Sequence, residues 1–231
     1  MRENDLPEIR SLELFSSMSD DSFTRLMQAA YLQTFPAQVQ LIVEGDQADF
    51  LFILIDGRVE LLGSNAGRET TMAIIRPYGT FILAAVLKDV VHLMSARTTE
   101  KSRVLMIPAR NVRDILAADA DFARAIVSEL AGCYRGVVRD QKNLKLRSSV
   151  ERLANRVLSL HKAQGATGTL ILPYDKRTLA SLLNMTPENL SRAFGTLRAY
   201  GVQVENEHIT LTDMRGLEAL AKPNPLIDER V

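Results

Sequence analysis

The sequence predicts an α+β chain in three parts: an N-terminal antiparallel β-roll over 1–118, one long dimerisation helix over 119–146, and a C-terminal domain over 147–231 built on a helical hairpin with a β-wing. Three observations predict it. Short runs rich in Val, Ile, Leu, Phe and Thr alternate with turn residues between Tyr31 and Pro108, the pattern of a barrel or roll. Residues 119–146 contain no proline and carry a helical apolar stripe. Residues 175–212 hold two capped helical segments around an asparagine, followed by two short strand-like runs.

The first element is an amphipathic helix from Ser19 to Ala30, which starts on cap-type residues and sets Phe23, Leu26, Met27 and Ala30 on one face. Strands follow at Val39–Val43, Asp49–Ile55, Val59–Leu62, Thr70–Ile75 and Arg103–Ile107. Gly45-Asp46, Asp56-Gly57, Ser64-Asn65-Ala66-Gly67 and Pro77-Tyr78-Gly79 break them apart. After Pro108 the pattern turns helical, first over Ala109–Ala118 and then over Asp119–Leu146. In the second stretch Phe122, Ile126, Leu130, Cys133, Val137 and Leu144 approach a heptad seam. A helix of ~28 residues spans ~42 Å, more than a small roll can cover. The stripe therefore asks for a partner helix, most simply from a second copy of the chain; the alternative is a helix broken near Gly132 or Gly136 that packs only within its own chain. Ser148–His161 is a further amphipathic helix, Thr169–Leu172 a short strand, and the tail from Lys222 to Val231 reads as frayed or loosely docked.

The C-terminal pattern is the most specific. Asp175 caps a helix over Lys176–Leu183, and Asn184 supplies the left-handed residue of a tight turn. Thr186 caps a second helix, with Pro187 in the favoured first position; it runs Glu188–Tyr200 and stops at Gly201. Val202–Glu205 and His208–Leu211 complete a wing. This is a winged helix-turn-helix, whose second helix enters the DNA major groove. Arg192 can donate a parallel pair of hydrogen bonds to guanine, Glu188 can accept from cytosine, and Ser191 is short enough to approach a base edge. Lys176, Thr178, Thr186 and Asn189 are placed to hold phosphates and set register.

Composition agrees. The chain has 231 residues, equal numbers of basic and acidic side chains, and 46% hydrophobic residues, which excludes a mainly disordered protein. The neutral total conceals a basic block: residues 135–204 hold 12 Lys/Arg against 4 Asp/Glu, a nucleic-acid footprint. One cysteine excludes an internal disulfide and an iron–sulfur cluster built from cysteines of one chain. No apolar run reaches membrane-spanning length and the N-terminus lacks a signal-peptide core, so a cytoplasmic protein without a membrane partner is expected. No metal-ligand cluster, nucleophile motif or phosphate loop is present, so an enzyme is not expected.

From about Leu14 to Leu220 the chain resembles the CRP/FNR family of bacterial transcription regulators. The resemblance lies in Glu44-Gly45-Asp46, in Leu51–Leu61 with its Asp56-Gly57 turn, in Gly79, and in Ala180–Arg192. It implies a cyclic-nucleotide-binding-type β-roll, homodimerisation through Ile126, Leu130, Cys133, Val137 and Leu144, and RNA polymerase as a partner. Glu188-Asn-Leu-Ser191-Arg192 is similar to the recognition helix of the FNR branch, which implies TTGAT-N4-ATCAA palindromes. Pro187 and Asn189 replace commoner residues there.

The effector-pocket candidates are Thr80, Phe81 and His92. Cyclic-nucleotide binders of the family hold the ribose with a glutamate and the phosphate with an arginine. Here the matching stretches read Tyr78-Gly79-Thr80-Phe81 and Lys88–Leu93, without a placed arginine, so cyclic AMP is not expected. No cysteine precedes Cys133, which excludes the cluster of the oxygen sensors. Val137 stands where those sensors carry an aspartate that opposes dimerisation. Met1–Asp5 and Ala48–Gly57 are similar to the nitric-oxide-responsive denitrification regulators, several proposed to use haem. That implies an activator responding to nitric oxide or another small effector, with His92 as the haem-ligand candidate. A roll that serves only as a dimer scaffold, in a regulator controlled by its own expression level, is the alternative.

Overall fold

The computed structural model describes residues 3–229, so Met1 and Arg2 of the opening motif and Arg230 and Val231 of the tail lie outside it. The chain divides into two compact units, Met1–Cys133 and Tyr134–Val231. The long helix is therefore not a body of its own: its first half belongs to one unit and its second half to the other.

In the first unit, helices α1 (Leu6–Arg10), α2 (Glu13–Ser16) and α3 (Asp20–Gln28) precede the roll. Ser19 caps α3 by accepting from the Ser22 N–H. Eight strands follow: β1 (Tyr31–Phe35), β2 (Gln40–Ile42), β3 (Phe50–Asp56), β4 (Val59–Asn65), β5 (Arg68–Ile75), β6 (Thr80–Phe81), β7 (Ser95–Thr98) and β8 (Ser102–Pro108). Helix α4 (Leu83–Lys88) lies between β6 and β7, and α5 (Ala109–Ala118) follows β8. The strands form two antiparallel sheets, in the orders β1-β8-β3-β6 and β2-β7-β4-β5.

The run Leu51–Ile55 is apolar at every position because β3 is covered on both faces. Leu51, Ile53 and Ile55 join the helix-side core with Phe15, Leu105, Val112, Ile115 and Phe122. Phe52 and Leu54 join the core of Val59, Leu61, Phe81 and Val104. Such a strand loses the polar–apolar alternation of a half-exposed one. The Asp56-Gly57 turn needs its glycine. Gly57 has φ +92°, and a Cβ there would lie 2.5 Å from the Lys101 carbonyl oxygen.

Sequence reading finds five of the eight strands and misses β1, β6 and β7. Tyr31–Phe35 and Ser95–Thr98 mix polar and apolar side chains, and β6 is two residues long.

The long helix α6 spans Ala120–Leu146 without a break, so Gly132 and Gly136 do not interrupt it. Asp119 starts it by accepting from the N–H groups of Asp121 and Phe122. Phe122 and Ile126 are buried in the core of the chain's own first unit, with Leu130 packed against it. Ile126 thereby leaves the expected dimer seam: intrachain packing already covers it.

The second unit holds α7 (Ser149–Ala163), β9 (Thr169–Ile171), α8 (Lys176–Leu182), α9 (Pro187–Leu197), β10 (Val202–Glu205), β11 (His208–Leu211), α10 (Met214–Ala221) and α11 (Pro225–Asp228). A reciprocal capping box between Ser148 and Glu151 starts α7. The wing is a three-stranded sheet in the order β10-β11-β9, one strand more than expected, because β9 pairs with β11. The described part of the tail, to Glu229, is docked, not frayed. Asp228 makes a two-bond salt bridge to Arg147, at 2.6 and 2.7 Å, and the Arg147 side chain is only 7% exposed.

Candidate nucleic-acid interface

The helix pair that carries the expected interface forms as its residues dictate. The Asp175 carboxylate accepts from the Thr178 N–H at 2.7 Å and starts α8. Asn184 takes φ +50°, the left-handed residue of the turn. The Thr186 hydroxyl accepts from the Asn189 N–H at 3.2 Å and starts α9, with Pro187 in the first turn. Arg152 of α7 fixes the turn from below: its Nε donates to the Leu183 carbonyl at 2.9 Å and Nη1 to the Arg147 carbonyl at 2.8 Å. Sequence reading missed this residue. Nothing local marks its role in the turn, since the Leu183 carbonyl it holds is thirty-one positions away.

Helix α9 divides cleanly. Leu190, Ala193, Phe194 and Leu197 are buried in the core with Leu153, Val157, Leu179 and Ile209. Glu188, Asn189, Ser191, Arg192 and Thr196 are exposed on the other side. The three proposed base readers thus share an open face. The Thr186 hydroxyl, the backbone N–H of Glu188 itself and nearby Arg192 hold the Glu188 carboxyl below its usual range, so it is an acceptor near neutrality. Arg192 Nη2 donates to Asn189 Oδ1 at 2.7 Å. Of the residues assigned to the DNA backbone, Lys176, Thr186 and Asn189 are exposed, and Thr178 is half-buried at the start of α8. The expected helix to Tyr200 ends instead at Leu197 and tightens into a 3-10 turn, Arg198–Tyr200, before Gly201 at φ +76°.

The effector candidates fare differently. Thr80 is half-buried on β6, and its hydroxyl donates to the carboxylate of Glu129 on α6. Phe81 is not a pocket residue. It is 2% exposed and stacks on Phe52 with centroids 5.4 Å apart, because its place in a two-residue strand turns it into the inter-sheet core. His92 is not on the surface but 4% exposed, and its Nδ1 has no hydrogen-bond partner. Burial lowers its pKa, against the opposing pull of Asp46 and Asp49, so the ring is neutral near pH 7. Two guanidiniums of this unit are engaged: Arg97 binds Glu60 and Glu69, and Arg113 binds Asp89 and the Val86 carbonyl.

On α6 the exposed large apolar residues are Val127, Tyr134, Val137, Val138, Leu144 and Leu146, and Cys133 is exposed with them. Val127, Leu130, Tyr134, Val137, Gln141 and Leu144 follow alternate steps of three and four, a regular heptad stripe. The expected seam contained three of these, Leu130, Val137 and Leu144, while Phe122 and Ile126 are buried in the chain's own first unit. The 3-4 spacing from Val127 was available in the sequence. Among the described residues no helix is long and apolar enough to cross a membrane, and no group of three or more His, Cys, Asp or Glu is placed to hold a metal.

Residues 32–119 match the family described as the cyclic nucleotide-binding domain, and residues 151–220 match the Crp-like helix-turn-helix domain. The chain is similar to a CRP-like cAMP-activated global transcriptional regulator of Mycobacterium tuberculosis, 22% identical over 90% of this chain and 96% of the relative. A solved structure of a proposed cAMP-binding regulatory protein from Silicibacter pomeroyi is 26% identical, covers 96% of this chain and 100% of its own, and superposes with a TM-score of 0.61. FixK2 of Bradyrhizobium japonicum shares the fold with a TM-score of 0.69 at 21% identity, over 83% of this chain and 96% of its own.

Proposed function

With a cyclic nucleotide-binding domain followed by a Crp-like helix-turn-helix domain, the chain belongs to the CRP/FNR family of DNA-binding transcription regulators, and on that premise we propose that it acts as a homodimer on TTGAT-N4-ATCAA-like palindromes. The observation that carries the reading is the shared open face of Glu188, Ser191 and Arg192 on α9, above a fully apolar inner face. Arg192 reads guanine, Glu188 accepts from cytosine, and Ser191 leaves room for close approach. Lys176 and Thr186 hold phosphates. The heptad stripe on α6 is the dimer seam, and RNA polymerase is the partner through which the protein activates transcription.

The effector in this reading is nitric oxide or another small molecule, and not cyclic AMP. The M. tuberculosis relative is cAMP-activated, but a cyclic phosphate needs a cation that is free to pair with it. Arg97 and Arg113 already face carboxylates, and Glu129 sets a further carboxylate against Thr80. An anion brought to Thr80 meets like charge from Glu129. As a haem ligand, His92 has the right chemistry and the wrong access. A neutral imidazole with an unused nitrogen suits a metal, but the ring is enclosed, so as it stands it does not fit a group of haem's size.

Binding titrations on TTGAT-N4-ATCAA, on its TGTGA counterpart and on scrambled DNA at fixed salt test the DNA reading. Arg192→Ala is expected to weaken the first by about 1–3 kcal/mol and to leave scrambled DNA unchanged. Equal losses on all three would refute the assignment. A saturable calorimetric isotherm with micromolar cyclic AMP would refute the effector reading. A visible haem band that disappears in His92→Ala would restore haem.

A further inference from the structure

We propose that Asn189 is a specificity-determining positioning residue, which holds the Arg192 guanidinium in the orientation that meets a base edge. The proposal rests on α9 being the reading helix. Asn189 and Arg192 stand three residues apart and so share a face of that helix. The Asn189 Oδ1 accepts from Arg192 Nη2 at 2.7 Å, a short bond to a charged donor. The backbone of Asn189 is itself fixed, since its N–H is the one that the Thr186 hydroxyl caps. The acceptor therefore sits on a rigid first turn, not on a mobile loop.

The need for such a residue follows from the neighbours of Arg192. Its long side chain is exposed and free to choose among rotamers. Glu188, one turn back on the same face, is ionised and attracts it. Left to that attraction, the guanidinium folds onto Glu188 and both base-reading groups are spent on each other. Asn189 offers a neutral competing acceptor to one side. A guanidinium has five N–H donors in one plane, so one bond to Asn189 fixes the plane and leaves a pair of donors for guanine O6 and N7. Asn189 then acts on DNA through Arg192, in place of the phosphate contact expected from sequence. Aspartate at 189 would keep the acceptor and alanine would remove it.

The test is a double-mutant cycle in the full-length protein: wild type, Asn189→Ala, Arg192→Ala and the double variant. Each is titrated by fluorescence anisotropy on the TTGAT palindrome, on the same palindrome with its G·C pairs replaced, and on scrambled DNA. Asn189 is exposed, so the variants should fold, and circular dichroism checks that they do. Asn189→Ala is expected to weaken binding to the palindrome roughly fivefold to tenfold, the net worth of one hydrogen bond. It should leave scrambled DNA unchanged and shrink the penalty for replacing guanine. In the Arg192→Ala background it should have no effect. Asn189→Asp should retain the guanine preference. Equal weakening on palindrome and scrambled DNA would overturn the proposal and make Asn189 a phosphate contact. A loss that persists undiminished without Arg192 would overturn it as an independent base contact. If Arg192→Ala itself keeps the guanine preference, the reading-helix assignment fails, and this proposal with it.

Discussion

Replacing Asp119 by alanine should destabilise the N-terminal unit more than any other single cap change. One oxygen of this carboxylate accepts from the N–H groups of Phe122 at 2.9 Å and Asp121 at 3.1 Å, at the start of α6. The other accepts from the N–H and the hydroxyl of Ser19, at 3.0 and 2.9 Å. Ser19 caps α3, so one side chain ties together two helix starts a hundred residues apart in sequence. Asp119 is only 7% exposed, and water replaces it poorly. Losing an N-cap costs about 0.5–2 kcal/mol. Because the Phe122 N–H left behind is buried the upper end applies, and losing the other oxygen's bonds from Ser19 adds about 0.5–1.5 kcal/mol, kept small because those exposed donors can rehydrate. The expected loss is about 2–4 kcal/mol, a fall of roughly 5–15 °C in the midpoint by differential scanning calorimetry. Asn at the same position still caps and should recover about half. The pH dependence has a fixed sign. Hydrogen bonds from the Phe122 and Ser19 backbone N–H groups hold the Asp119 carboxyl far below its usual range. Its stabilisation is therefore fully present above the unfolded value of about 3.9 and is lost as the pH falls below that toward the folded value. The gap between wild type and Asp119→Ala should be flat from pH 5 to 8 and narrow below about pH 4. A gap under about 0.5 kcal/mol at pH 7, or one unchanged in acid, would refute this account.

Asp228→Ala leaves the buried Arg147 guanidinium without its carboxylate. Because Asp228 is itself 27% exposed, the expected loss is about 2–3 kcal/mol, below the ~3–5 kcal/mol of a fully buried pair, read by urea denaturation. Gly57→Ala combines a left-handed φ with a 2.5 Å clash against backbone and should cost more than about 2 kcal/mol; Gly67→Ala, at φ +77° in open space, should cost about 1 kcal/mol. Calorimetry comparing the two separates clash from strain, and equal losses would discount the Lys101 contact. Val137→Asp sets like charges opposite each other in the proposed seam and should shift a dimer toward monomer in light scattering; an unchanged mass would place the seam elsewhere.

The sequence alone determined the elements whose cause is local. Caps, left-handed turn residues and apolar spacing act within four residues, so α9, its start at Thr186, the Asn184 turn and the open face of Glu188, Ser191 and Arg192 were all legible. So were the β-rich character of 31–108 and the proline-free helical pattern of the long helix, whose continuity through Gly132 and Gly136 the structure decided. Tertiary structure decided whatever depends on which other segment arrives. Phe122 and Ile126 continue an apolar stripe that looks uniform in sequence, but the first unit covers them, and the exposed apolar stripe starts at Val127. Phe81 reads as a pocket residue until β6 pairs with β3 and sets its ring on Phe52. The tail looked loose because one aspartate in ten residues carries little signal, and it is anchored by an arginine eighty-one positions earlier. Burial and pairing across such separations are properties of the assembled chain, which no window of neighbouring residues contains.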